Sequence, residues 1–229
     1  VELLEKKKKL SKKELQEDKL VTSYYKFNQI YEKHQSKILI GLGAVAVIVV
    51  AVLFWTNKME QENQVAAQKL AKVLPTYQQG NYQQAIDGKE GTDVMGLEKI
   101  VEEYGSTENG ETAKIYLANA HYFLGNFDQA MSYYKDYSGD IELFEATSYA
   151  GMAGVYAAKN QTEDAAEYFK KAANVSESNP MNPDYLLNAG INYINSNNNK
   201  AAKKLLTKIK SEYNRSEAYR EADKYLALL

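Results

Sequence analysis

Leu117-Ala118-Asn119-Ala120-His121-Tyr122-Phe123-Leu124-Gly125-Asn126-Phe127-Asp128-Gln129-Ala130 is the stretch that decides how this chain folds. Its small residues flank a Gly-Asn step, as two helices need if they are to cross closely about a tight turn. The same grammar returns twice. It reads Met152-Ala153-x-x-Tyr156-x-x-x-Asn160-x-x-x-x-Ala165, then Ala189-x-x-x-Tyr193-x-x-Ser196-x-x-x-x-Ala201, so that Ala130, Ala165 and Ala201 stand 35 and 36 residues apart. A fainter copy precedes them in Tyr77, Gly80-Asn81-Tyr82 and Ala85. A period near 34 predicts an all-α chain of about four helix-turn-helix units, each covering the apolar face of the next.

Each recurring residue has a physical task. Ala118, Ala153 and Ala189 are expected where the first helix of a unit meets the second, with Ala130, Ala165 and Ala201 facing them. Side chains no larger than a methyl group let the two backbones approach. Gly125 and Asn160 tolerate the left-handed conformation of such a turn, and Ser196 stands at that place in the last unit. Phe127 and Tyr82 follow their turns and can fill the gap between helices. Pro180 and Pro183 interrupt the helix after the second repeat. Residues 213–229 read as an amphipathic capping helix, and Met95, Met131, Met152 and Met181 as core fillers. Asp87-Gly-Lys-Glu-Gly-Thr92 breaks the first unit before a helix resumes at Met95.

Working toward the N-terminus, Ile38–Trp55 (ILIGLGAVAVIVVAVLFW) is an uninterrupted apolar run. At about 1.5 Å per residue, a helix of this length nearly crosses a hydrocarbon core of roughly 30 Å. The expected organisation is a basic head, 1–37, a transmembrane helix, 38–57, and a soluble helical domain, 58–229. The head holds ten lysines against six acidic residues, and the rest of the chain is formally −6. Lysine flanking a span favours the cytoplasmic side, which predicts a cytoplasmic head and an exported domain. A cleaved signal peptide fits poorly, because the head is long, the apolar run exceeds about 15 residues, and no A-x-A site follows.

The head has its own pattern. Ser11 and Glu14 have capping-box spacing. Beyond them Leu20, Tyr24, Phe27 and Tyr31 recur at helical intervals, predicting a helix over about 12–35 with one aromatic face. That face suits the lipid headgroup region or another membrane protein. The Lys6–Lys9 run reads as an orientation signal.

The repeat pattern resembles the tetratricopeptide (TPR) family over roughly residues 60–229, although Lys114, Tyr149 and Tyr185 replace that family's first-helix tryptophan. The resemblance implies an irregular TPR α-solenoid. It also implies a concave binding groove from the first helix of each unit, made by Leu70, Leu74, Tyr77; Ile115, Asn119, Tyr122, Phe123; Ala150, Gly154, Ala157; and Leu186, Gly190, Tyr193. Periodicity leaves open whether its tyrosines face the groove or pack between units. In the order of its parts, and in Gly96-Leu97-x-x-Ile100-Val101-x-Glu103-Tyr104-x-Ser106-Thr107 followed by Ala113-x-x-Tyr116-Leu117-Ala118, the chain resembles the YfgM-like ancillary subunits of the Sec translocon. That resemblance implies a bacterial inner-membrane location, a periplasmic domain, and partners among the Sec translocon, a periplasmic chaperone or prolyl isomerase, and exported chains. A structural subunit of a larger membrane complex would show the same plan.

Catalysis has no visible frame. There is no cysteine, which removes disulfides, thiolate nucleophiles and Cys-ligated metals. The two histidines, His34 and His121, stand 87 positions apart without an HExxH pattern, and His121 fits a packing role. Gly41-Leu-Gly43 lies inside the apolar run rather than in a phosphate loop. An acidic exported part argues against nucleic acid. No cofactor, metal or small-molecule substrate is expected, and the chain reads as a non-enzymatic interaction protein.

Overall fold

The computed structural model describes residues 12–229, with side chains from residue 21 onward. Ser11 of the expected capping box and the Lys6–Lys9 run lie outside the described residues. Among those residues the regular structure is helical, with one isolated bridge between Gly88 and Met95. The chain divides into two compact units between Lys58 and Met59.

The described residues of the first unit, 12–58, belong to α1 (Lys12–Gln78), a single unbroken helix that runs through the apolar run. The aromatic stretch of the head and the apolar run are one element. It contains the only described stretch long and apolar enough to cross a membrane, and none of that stretch is buried against the rest of the chain.

The second unit contains the C-terminal part of α1 and nine further helices: α2 (Tyr82–Asp87), α3 (Leu97–Tyr104), α4 (Glu108–Phe123), α5 (Phe127–Asp136), α6 (Glu142–Ala158), α7 (Thr162–Ala173), α8 (Asn182–Asn195), α9 (Asn199–Glu212) and α10 (Glu217–Leu226). From α4 to α10 each helix packs on its sequence neighbours; α4 also touches α6, and α8 touches α10. The expected C-terminal helix is α10, which buries Ala218 and Ala222. Three core clusters follow one another. Leu70, Val73, Leu97 and Leu117 lie in the first, Ile115, Tyr134 and Val155 in the second, and Leu186, Tyr193, Leu206 and Ile209 in the third.

Four turns share one construction. Gly80, Gly125, Asn160 and Asn197 are left-handed, with φ of 78°, 79°, 58° and 62°. Each donates its N–H to the carbonyl three residues back, at Tyr77, Tyr122, Ala157 and Ile194. The residue after each donates to the carbonyl five back, at Thr76, His121, Tyr156 and Tyr193. This is the Schellman closure, which satisfies carbonyls left open at a helix C-terminus.

These turns correct the last repeat by one position. Ser196 ends α8 with φ −90°, and the left-handed residue is Asn197. Counted from the turns, the buried alanines are Ala85, Ala130, Ala165 and Ala202, all fully covered, while Ala201 is half-exposed. The crossing partner of Ala202 is Gly190 rather than Ala189. A Cβ added to Gly190 would stand 3.1 Å from Leu206 Cδ2 and 3.9 Å from the Ala202 carbonyl oxygen. The register predicts a sharp contrast. Ala202→Leu should lower stability by about 1–3 kcal/mol, because added methylenes overfill a close crossing. Ala201→Leu should be nearly neutral. Denaturant melts of the two variants check it; a larger loss from Ala201→Leu than from Ala202→Leu would return the register to Ala201.

The insert after α2 is built on glycines. A Cβ at Gly96 would overlap the Ile86 carbonyl, and Gly88 has φ 88°. Lys72 of α1 pairs with Asp93 in this loop. Asn63 Oδ1 accepts from the Asn109 backbone N–H and Nδ2, both at 2.8 Å, which ties α1 to the start of α4.

Candidate functional site

An open, mainly apolar groove of about 460 Å³ runs across α4, α6 and the start of α8. Asn119, Tyr122 and Phe123 line it from α4. Leu143, Phe144, Thr147, Ala150, Gly151 and Gly154 line it from α6, Met181 and Tyr185 from the last segment, and Tyr134 of α5 and Phe169 of α7 fill behind. Helical spacing explains the α6 side: positions 143, 147, 150, 151 and 154 recur on one face. Phe123, Leu143 and Met181 are 57, 48 and 43 % exposed, an apolar rim that water meets directly.

The floor is set by two glycines that seat tyrosines. Tyr134 lies where a Cβ of Gly151 would be, and the Tyr122 ring approaches to 3.2 Å of a Cβ built at Gly154. The Tyr134 hydroxyl donates to Asn119 Oδ1 at 2.6 Å. Burial pushes the Tyr134 phenol up, with Tyr77 and Tyr122 adding to the shift. Tyr77 is pushed up to about 12, by burial first and then by Tyr82. Both phenols therefore stay neutral donors at physiological pH. Tyr122 also packs on Phe123 and Phe127, and Tyr82 stacks on Phe123 at 4.8 Å, so the α4 rim is held by rings on either side.

The positions expected from sequence fall into separate places. Asn119, Tyr122, Phe123, Ala150 and Gly154 line this groove together. Leu70 and Ile115 are instead buried in core clusters, while Leu74 and Tyr77 are half-buried against the first. Ala157 is half-buried outside the lining. Leu186, Gly190 and Tyr193 are buried and face the α8–α9 and α7–α8 contacts. Tyr193 in fact donates to Glu167 and accepts from Lys170 Nζ at 3.1 Å. Its hydroxyl, ahead of Lys170, holds the Glu167 carboxyl below the usual range. The tyrosines thus divide: Tyr122 lines the groove, and Tyr193 packs between helices. The reason is the one-residue register shift, which rotates a helical position by about 100°.

Sequence reasoning missed Tyr134, Leu143, Phe144, Thr147, Gly151, Phe169, Met181 and Tyr185. The stripe on α6 was readable from its spacing. Met181 was assigned to the core, and only the path of the segment before α8 brings it to the rim. His121 is away from the groove, stacked on Tyr133 at 5.5 Å, and burial lowers its pKa. Among the described residues no group of three or more His, Cys, Asp or Glu is placed to hold a metal ion. The chain matches no known protein-family model, no curated protein and no solved structure.

Proposed function

We propose that residues 59–229 form a TPR-type array that holds an apolar segment of another protein in the groove between Phe123, Leu143 and Met181. The protein would act as a single-pass inner-membrane tether whose exported domain assists translocation or folding of secreted chains. The observation that carries this reading is the apolar rim. Of the large apolar residues exposed in the second unit, three converge on one groove. A concave, mainly apolar groove of this size with a few polar groups in its lining is the usual form of a binding site. The four identical turns support the array, and the lysine-rich head supports the orientation. The Sec translocon and a periplasmic prolyl isomerase remain candidate partners through the resemblance of the sequence alone.

Spheroplasts of cells secreting a translocation-arrested substrate supply the test. An impermeant amine reagent should label Lys159 and Lys171 and spare Lys12 and Lys13. A photo-activatable side chain replacing Phe123 or Leu143 should cross-link the arrested chain, whereas one replacing the exposed Gln129, outside the groove, should not. Labelling of Lys12 and Lys13 alone would reverse the orientation. Equal cross-linking from all three sites, or from none, would remove the groove as the site. A subunit of a larger complex would instead cross-link one folded partner at fixed stoichiometry.

A further inference from the structure

The aromatic face of α1 is left without a partner, and its spacing says what kind of partner fits. Tyr24, Phe27, Tyr31, His34 and Ile38 follow one another at intervals of three, four, three and four. That is heptad spacing over two heptads, and the uniformly apolar run beyond Ile38 does not interrupt it at Gly41, Val45, Ile48 and Val52. Tyr24 and Phe27 are each 66 % exposed, and Phe27 stacks on Tyr31 along the seam. Because α1 is unbroken, Tyr24 lies 14 residues before Ile38 along the helix, about 21 Å at 1.5 Å per residue. The headgroup layer is only roughly 5–8 Å deep on each side. Lipid therefore does not reach the rings at Tyr24 and Phe27, which leaves them free to meet a protein surface.

We infer that this seam pairs with the same seam of a second copy of the chain, as a parallel two-stranded coiled coil running from the head into the membrane span. The flanking positions permit self-pairing. Beside the seam stand Val21, Ser23, Asn28, Ile30 and Gln35, all uncharged, and Lys37 faces Leu42 of the other copy in this register. Like charges at these positions would repel between identical chains. The charged Lys26, Glu32 and Lys33 fall outside it. Two copies inserted in the same direction can pair only in parallel, and Gly41 permits close approach where the seam enters the bilayer.

The inference rests on reading Ile38–Trp55 as a membrane span, and the experiment separates the two. The chain has no cysteine, so single cysteines report without background. Full-length protein carrying Cys at positions 23 to 34, one at a time, is reconstituted in vesicles and oxidised. Disulfide-linked dimer should peak at Tyr24→Cys, Phe27→Cys and Tyr31→Cys, several-fold above Lys26→Cys, Gln29→Cys and Lys33→Cys. Because removing a ring can itself weaken the pair, subunit counting by photobleaching of protein labelled at Gln29→Cys keeps the seam intact and should show two copies. Membrane-integrated protein that bleaches in one step, or cross-links without this period, would overturn the pairing and leave the span standing. Protein that does not integrate would remove the span and the inference with it. Cross-links from the native membrane to a different protein at the same positions would also overturn self-pairing.

Discussion

Lys114→Met should lower the stability of the helical domain by about 3 kcal/mol, among the largest single effects in this protein. Lys114 is buried in the wall between α4 and α5. Its ammonium donates to Glu111 Oε1 at 2.9 Å and to the Asp136 carbonyl at 3.0 Å, and lies 2.8 Å from Asp136 Oδ2. Glu111 is buried as well and accepts from the Ser138 backbone N–H and hydroxyl, both at 2.9 Å. Removing the lysine leaves the Glu111 charge buried without its counter-ion. The loss falls at the low end of the usual 3–5 kcal/mol because both Ser138 donors remain. Glu111→Gln together with Lys114→Met should recover most of it, since no charge is then stranded. Urea melts of the two single and one double variant check this; additive losses would mean that the pair is not coupled.

The same site has a pH signature. Burial opposes the charged form of Lys114, but hydrogen bonds and charge from Asp136 and Glu111 outweigh it, so its folded pKa lies above the ordinary lysine value. A group raised on folding contributes stability that is complete below its unfolded pKa and is lost as pH rises through the folded one. The advantage of the wild type over Lys114→Met should therefore hold around neutrality and shrink as strongly alkaline solution removes the Lys114 charge.

Gly151→Ala should be destabilising by about 2–3 kcal/mol, while Gly154→Ala, one turn along the same helix, should be nearly neutral. Both replacements remove a helix-interior glycine, which by itself favours folding by about 0.8–1 kcal/mol. The difference lies in what meets the new methyl. At Gly151 it would overlap the Tyr134 ring, which is 2 % exposed and anchored through its hydroxyl to Asn119. At Gly154 the neighbour is the Tyr122 ring at 3.2 Å, half-exposed on the groove side and able to yield by a few tenths of an ångström. Thermal melts would show the contrast, and equal shifts would mean that Tyr134 is free to repack.

Much of the architecture was legible in local pattern. The apolar run Ile38–Trp55, the helical period of the repeats, and the left-handed turns at Gly125 and Asn160 each depend on residues within a few turns of one another. Such features follow from hydrophobic periodicity and backbone sterics, which act along the chain. The last repeat was not so readable. Ser196-Asn197-Asn198-Asn199 offers several residues that accept a tight turn, and nothing local selects Asn197. Packing selects it, because Gly190 then meets Ala202, and Leu205, Leu206 and Ile209 enter the third core cluster.

The candidate site shows the same division. Sequence by itself determined that the chain is helical and that one stretch is apolar enough to span a membrane, whereas Asn119, Tyr122, Phe123, Ala150 and Gly154 entered only through the family resemblance, among positions that the structure places elsewhere. Only the tertiary structure decided that Tyr193 is a core residue bonded to Glu167, that Tyr134 and Phe169 reach the groove from behind, and that Met181 closes its rim. The physical reason is that a one-residue offset between helices turns a side chain by about 100° at no local cost. The choice between core and groove is made where residues far apart in sequence compete for the same space.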